Sequence, residues 1–172
     1  MVGWQIAQMN VGITVEATDH PQIADFMNQL DAINALADAA PGFVWRLQSE
    51  SGNATDIKPP KTAHWDHPYF IVNMSVWENV EALFDFVYKT AHRLVMARRR
   101  EWFEKPVTAY QVLWWVPAGH KPTVEEGLAR LEKLQAGGPT PEAFTFKARF
   151  PSPDQIGGPE NMQPEPYCVG WE

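Results

Sequence analysis

The stretch FDFVYKTAHRLVMARRREWFEKP, residues 84–106, sets one histidine in an apolar helical pattern just ahead of three consecutive arginines. Histidine exchanges a proton near neutral pH without special tuning, so His92 is the first candidate for acid or base chemistry. If residues 79–103 form one helix advancing ~100° per residue, then Val80, Leu83, Phe84, Val87, Ala91, Leu94 and Val95 make an apolar stripe. Tyr88, His92 and Arg99 line its border, where steps of four and seven bring a phenol and a guanidinium near the imidazole. These three are the predicted catalytic group. The structural alternative for His92 is a core-edge ring bonded to a backbone carbonyl. Arg98 falls on the stripe itself, where a lone charge is expensive, so it is expected to be buried and paired. Its partner is an acidic residue or, in the sharper reading, an anionic substrate. A break near Lys89 and Thr90 would rotate the two halves and undo this placement.

The segment HWDHP offers His64, Asp66 and His67 within four residues. That set suits a divalent ion only if a further ligand arrives from elsewhere, and no helical HExxH or cysteine pair supports it, so the expectation is no metal. Heme, with His92 or a loop histidine as axial ligand, is a weaker alternative to a cofactor-free site. No Ser-His-Asp order, phosphate loop or dinucleotide fingerprint appears.

These groups need a scaffold, and the chain's 172 residues suffice for about one domain with a full core. Fourteen basic against twenty-one acidic residues leave a net charge of −7, which argues against sequence-independent binding to nucleic acid or anionic membrane. The single cysteine, Cys168, excludes an intramolecular disulfide and cysteine-rich metal sites. MVGWQIAQMN lacks the basic segment and apolar run of a signal peptide, and no stretch approaches the length needed to span a bilayer, so the expected location is cytoplasmic.

Strands are predicted over 4–10, 43–49, 69–77 and 109–116 from short runs rich in aromatic and branched residues. A helix should follow TDHP, with Asp19 as cap, Pro21 in its first turn, and Ile23, Phe26, Met27, Leu30, Ile33, Asn34 and Ala37 at helical spacing. A second long helix fills 79–103. A short third one follows Thr123, with Glu126 at the capping-box spacing and glycines to end it. AFTF, 143–146, is a candidate edge strand, and the proline- and glycine-rich residues 151–172 read as a tail on a 1–150 domain. The order strand, helix, strand, strand, helix, strand is the split βαβ arrangement: α+β, an antiparallel sheet with helices on one face. In the third strand Phe70, Val72, Met74 and Val76 share one side, and Tyr69, Ile71, Asn73, Ser75 and Trp77 the other. The wholly apolar side is expected under the helices. The mixed side then needs another cover, which a second copy packing sheet to sheet would supply, enclosing a cavity.

The segments IAQMN, FMNQLDAINALADAAPGFVWRL, NMSVWENVEALFDFVYKTAHRLVMARRREWFE, LWWVPAGHKPTVEEGLARLEKL and AFTF span most of residues 4–150. In them the chain resembles the family called domain of unknown function 3291, in the dimeric α/β-barrel superfamily. The resemblance implies a ferredoxin-like protomer and a homodimeric barrel. It names no reaction, because the superfamily includes cofactor-free monooxygenases, polyketide cyclases, heme enzymes and small stress proteins. The segment IKPPKTAHWDHP is longer than the loop expected there.

Trp45, Trp77, Trp114, Trp115, Phe43 and Tyr69 put much aromatic surface on strands, most of it attributable to core. Interleaved with Asn10, Asn73 and Ser75 on the cavity side, part of it would make an apolar pocket with a few polar groups. The predicted substrate-binding set is therefore Asn10, Trp45, Tyr69, Asn73, Ser75, Arg98 and Trp114. The predicted function is a cofactor-independent enzyme acting on an apolar, aromatic or polyketide-like small molecule by acid/base chemistry: cyclisation, isomerisation, elimination or cofactor-free oxidation. The alternative is a ligand-binding or stress protein that uses the same cavity as a receptacle.

Overall fold

Four strands form one antiparallel sheet in the order β2-β3-β1-β4: β1 (Trp4–Ile13), β2 (Phe43–Arg46), β3 (Phe70–Trp77) and β4 (Gln111–Pro117). The computed structural model describes residues 3–61 and 65–155. Strand β1 runs past Gly12, where the sequence suggested a stop, and pairs with β3 along its length so that Ile6, Gln8 and Asn10 oppose Trp77, Ser75 and Asn73. Because side chains alternate, these six residues share one face of the sheet.

Two crossovers connect the strands. The first carries α1 (Ala24–Asp38), entered through a short 3-10 turn at Pro21–Ile23. The 3-10 turn, not α1 itself, is capped by a side chain, and that residue is His20 rather than Asp19, with the ring Nδ1 accepting the Gln22 N–H at 3.2 Å. The second crossover is not one helix but three: α2 (Val80–Lys89), α3 (His92–Ala97) and α4 (Arg99–Trp102). Thr90 causes the first break. Its extended backbone leaves the helix, its hydroxyl donates to the Phe86 carbonyl at 2.6 Å, and the same oxygen accepts the His92 N–H at 3.2 Å. One hydroxyl thus satisfies the end of one helix and the start of the next. A second break falls at Arg98. After β4 comes α5 (Val124–Gly137), with Thr123 Oγ1 accepting the Glu126 N–H at 3.2 Å and Gly138 ending it at φ 74°.

Both crossovers lie on the mixed-polarity face, and α5 lies on the apolar one. That is the reverse of the expected cover. Ala7, Met9, Val11, Phe70, Val72, Met74 and Val76 pack with Val124, Leu128, Leu131 and Leu134 of α5. Gly127 permits the close crossing, since a Cβ there would come within 2.5 Å of Met9 Sδ. On the other face Ile6 and Trp77 pack with Ala37, Val80, Leu83, Phe86 and Val87. The chain covers both faces itself, so the bare face that called for a second copy is not there.

Residues 143–146 form no strand: Leu113 and Phe144 exchange two backbone bonds of 2.8 and 2.9 Å as an isolated bridge beside β4. The chain beyond it stays on the body as far as it is described, with the Phe150 carbonyl accepting the Trp115 indole N–H at 2.9 Å and Ser152 buried. The rest of the predicted tail, including Cys168, lies outside the described residues. No described helix is long and apolar enough to cross a membrane.

Candidate functional site

A cavity of about 140 Å³ lies between the mixed face of the sheet and the crossover helices. Its floor is Gln8, Asn10, Gly12, Ile71, Asn73, Ser75 and Trp77. Phe26, Leu30, Ile33, Asn34 and Ala37 of α1 cover one side. Leu83, Phe86 and Val87 of α2, His92, Val95 and Met96 of α3, and Arg99 and Trp102 of α4 close the other. The described lining contains no Asp or Glu. Apolar walls with a few placed polar groups are the usual make-up of a small-molecule site.

The floor's polar groups are wired together. Gln8, buried at 5% exposure, donates from Nε2 to Asn73 Oδ1 at 2.7 Å and to Ser75 Oγ at 3.0 Å. Trp77 Nε1, wholly buried, donates to the same Ser75 oxygen at 2.9 Å. Strand register explains this, because Gln8 sits directly opposite Ser75 and Trp77 is two residues further along the same face.

His92 stands at the first turn of α3, half-buried, with its ring 4.9 Å from that of Phe86. Phe86 in turn stacks on Trp77 at 5.0 Å. Continuous aromatic packing thus joins the Ser75 network to the imidazole. Nδ1 faces the Val87 carbonyl at 3.3 Å. A carbonyl can only accept, so Nδ1 carries the hydrogen and Nε2 the lone pair. Burial pushes the ring below the ordinary histidine value of 6.5, and the Val87 carbonyl opposes that shift. His92 is a neutral imidazole at neutral pH.

Arg99 is buried at 6% exposure where the sequence suggested a border position. Its Nη2 donates to the Val11 carbonyl at 3.1 Å, and its guanidinium lies 4.4 Å from the Phe103 ring centre and 4.6 Å from that of Tyr110. Gly12 makes room: a Cβ there would meet Phe103 Cδ1 at 2.6 Å and Arg99 Nη2 at 2.8 Å.

Of the predicted catalytic group, His92 and Arg99 line the cavity and Tyr88 does not. Tyr88 packs instead against Phe84 at 4.6 Å and Phe146 at 5.6 Å, because the face of α2 turned to the cavity is the one that carries Leu83, Phe86 and Val87. Arg98 is paired as expected but not buried; its side chain is 40% exposed. It bonds Glu101 at 2.7 Å and Asp25 at 2.9 Å and lies 4.7 Å over the Trp102 ring. The breaks at Thr90 and Arg98 exchanged the roles of the two neighbouring arginines, and Leu94, placed on the apolar stripe, is 71% exposed.

Of the predicted substrate contacts, Asn10, Asn73 and Ser75 line the cavity. Trp45 and Trp114 belong to the opposite face with α5, where Trp114 donates to Glu126 Oε1 at 2.9 Å. Glu126 also meets His120 Nε2 at 2.7 Å, so its carboxylate does not complete the capping box. Tyr69 lies outside the lining, its carbonyl accepting the Thr14 N–H at 3.0 Å. In the histidine loop, His67 Nδ1 accepts the Tyr69 N–H at 3.1 Å and so shapes a turn; His64 lies outside the described residues. Among the described residues no three of His, Cys, Asp and Glu gather to hold a metal ion.

Gln8 and Phe86 were missed. Gln8 was legible: two residues before Asn10 in a strand, it had to share that residue's face. Phe86 was not, since a continuous helix placed it off the stripe.

No curated protein matches the chain. It is similar to a solved structure of a protein of unknown function from Nitrosomonas europaea, with 12% identity, 72% of this chain and 97% of that one covered, and a TM-score of 0.42. It is also similar to SnoaB, a cofactor-independent oxygenase from Streptomyces nogalater, with 16% identity, 68% and 95% covered, and a TM-score of 0.40. The family model described as Domain of unknown function (DUF3291) matches residues 5–158, and the chain belongs to that family.

Proposed function

We propose that the cavity is the active site of a small-molecule enzyme in which His92 removes a proton from a largely apolar substrate resting on the Gln8, Asn73 and Ser75 floor. The observation that carries this reading is the fixed tautomer of His92 in the cavity wall: Nδ1 is committed to Val87, which leaves the Nε2 lone pair as a base. Isomerisation, elimination, cyclisation and cofactor-free oxidation all begin with such a proton removal, so the reading covers the class and not one product. Arg99, held between two aromatic rings in the same wall, would favour negative charge developing on the substrate.

The test uses the small molecules released on denaturing the purified protein and identified by mass spectrometry. Their carbon-bound hydrogen exchange from D2O is compared for wild-type and His92→Gln protein. A base role predicts exchange slower by about a hundredfold in the variant, with binding little changed. Equal exchange rates in the two proteins would assign the cavity to binding alone.

A further inference from the structure

Ser75 is 7% exposed and lines the cavity, yet its hydroxyl is used only as an acceptor. A hydroxyl oxygen has two lone pairs and one proton. The Gln8 amide, which donates at 3.0 Å, and the Trp77 indole, which donates at 2.9 Å, occupy both lone pairs. Neither nitrogen can accept in return: the indole N–H is a donor only, and both Gln8 Nε2 hydrogens are spent on Asn73 and Ser75. Among the described residues no hydrogen bond takes the Ser75 proton.

From this we infer that Ser75 is a hydrogen-bond donor built to hold an acceptor oxygen of the ligand, and that the substrate class is a compact, largely apolar molecule bearing a carbonyl-type oxygen. The inference rests on the small-molecule reading above and adds the ligand's chemistry to it. Two donors fixed on one oxygen leave its proton a single direction, away from both, so the donor is oriented before the ligand arrives. Their pull also makes the hydroxyl a stronger donor, as in any chain of hydrogen bonds. Trp77 links this donor to the base. Its indole holds Ser75 on one side and stacks on Phe86, which packs against His92, so donor and base belong to one continuous aromatic wall of the cavity. A carbonyl oxygen held by Ser75 acidifies the adjacent C–H. The proton goes to His92 Nε2, the electron pair moves onto the oxygen as an enolate, and return of the proton to carbon restores the ring.

Two probes of one shape separate the possibilities: acetophenone, and α-methylstyrene, in which CH2 replaces the carbonyl oxygen. Affinities for wild-type, Ser75→Ala and Ser75→Thr proteins are measured by ligand-observed NMR, with the carbonyl stretch of 13C-labelled acetophenone followed by difference infrared. Ser75→Ala should lower the affinity for acetophenone relative to α-methylstyrene by about fivefold and return the bound carbonyl stretch to its non-hydrogen-bonded position. Ser75→Thr keeps the hydroxyl and should retain both. An unchanged ratio and an unchanged stretch in Ser75→Ala, with both probes still bound, would overturn the role of Ser75 and leave the cavity reading standing. Failure of both probes to bind wild-type protein would overturn both. The wild-type stretch stands as a readout without either variant: a carbonyl bound with no hydrogen-bond shift refutes the inference even if Ser75→Ala does not fold.

Discussion

The two faces of this sheet come from the same strands yet do opposite things. Under α5 every side chain of β3 is apolar and the packing is closed: Phe70 and Val76 are wholly buried, Val72 and Met74 nearly so, and Trp114 spends its one polar atom on Glu126. Under the crossover helices, β1 and β3 contribute Gln8, Asn10, Asn73 and Ser75, and the space above them is left open. A closed face needs only volume and apolarity. An open one carries polar groups, and hydrogen bonds link them along the floor from Asn73 through Gln8 and Ser75 to Trp77. One face therefore packs the core, and the other is left to line a cavity.

The largest effect should come from the closed face. Trp114→Ala removes a fully buried indole and should cost about 3–5 kcal/mol in chemical denaturation, with probe affinity in the folded fraction unchanged. A loss below about 1 kcal/mol would show that the closed face is not the stabilising one.

An intermediate effect belongs to pH and to the open face. Burial holds His92 below the 6.5 of an unfolded chain, so between its native value and 6.5 the unfolded state binds the extra proton. Stability is then fully present above 6.5 and falls as pH drops through the native value. His92→Gln should flatten that part of the profile, measured as unfolding free energy against pH. The activity of the wild-type protein should fall over the same acid range as the base becomes protonated. A profile with the same slope in both proteins would remove His92 as its origin.

The smallest effect should come from Arg98, whose pairs with Glu101 and Asp25 lie at the surface and whose neighbour Arg99 sits in the cavity wall. Glu101 is held below the usual carboxylate range by Arg98, but water and salt screen such exposed pairs. Arg98→Ala should change stability by no more than about 1 kcal/mol and leave probe affinity unchanged. A marked loss of binding would tie the surface pair to the open face.

How far the site could be read from sequence differs between strand and helix. Asn10, Asn73 and Ser75 were found because alternation in an extended chain is strict, and the same rule contained Gln8. His92 reached the cavity although the continuous helix assumed for it does not exist. Arg98 and Arg99 were misplaced because a helical wheel adds ~100° per residue and carries any break forward from Thr90. Tyr88, which precedes the break, was misplaced because its shared face with His92 and Arg99 assumed a single helix.

The sequence by itself determined the strands, the crossover order, the capping of α5 by Thr123 and the division of β3 into an apolar and a mixed face. Each of these depends on neighbours a few residues away, through alternation, capping or turn chemistry. Only the tertiary structure decided which face the crossover helices cover, which arginine enters the cavity, and that Trp45 and Trp114 belong to the closed side. Those choices depend on contacts between distant segments: the room at Gly12 for Arg99, the room at Gly127 for Met9, and the Thr90 hydroxyl that redirects the chain at His92. No local pattern encodes a fit between segments many residues apart.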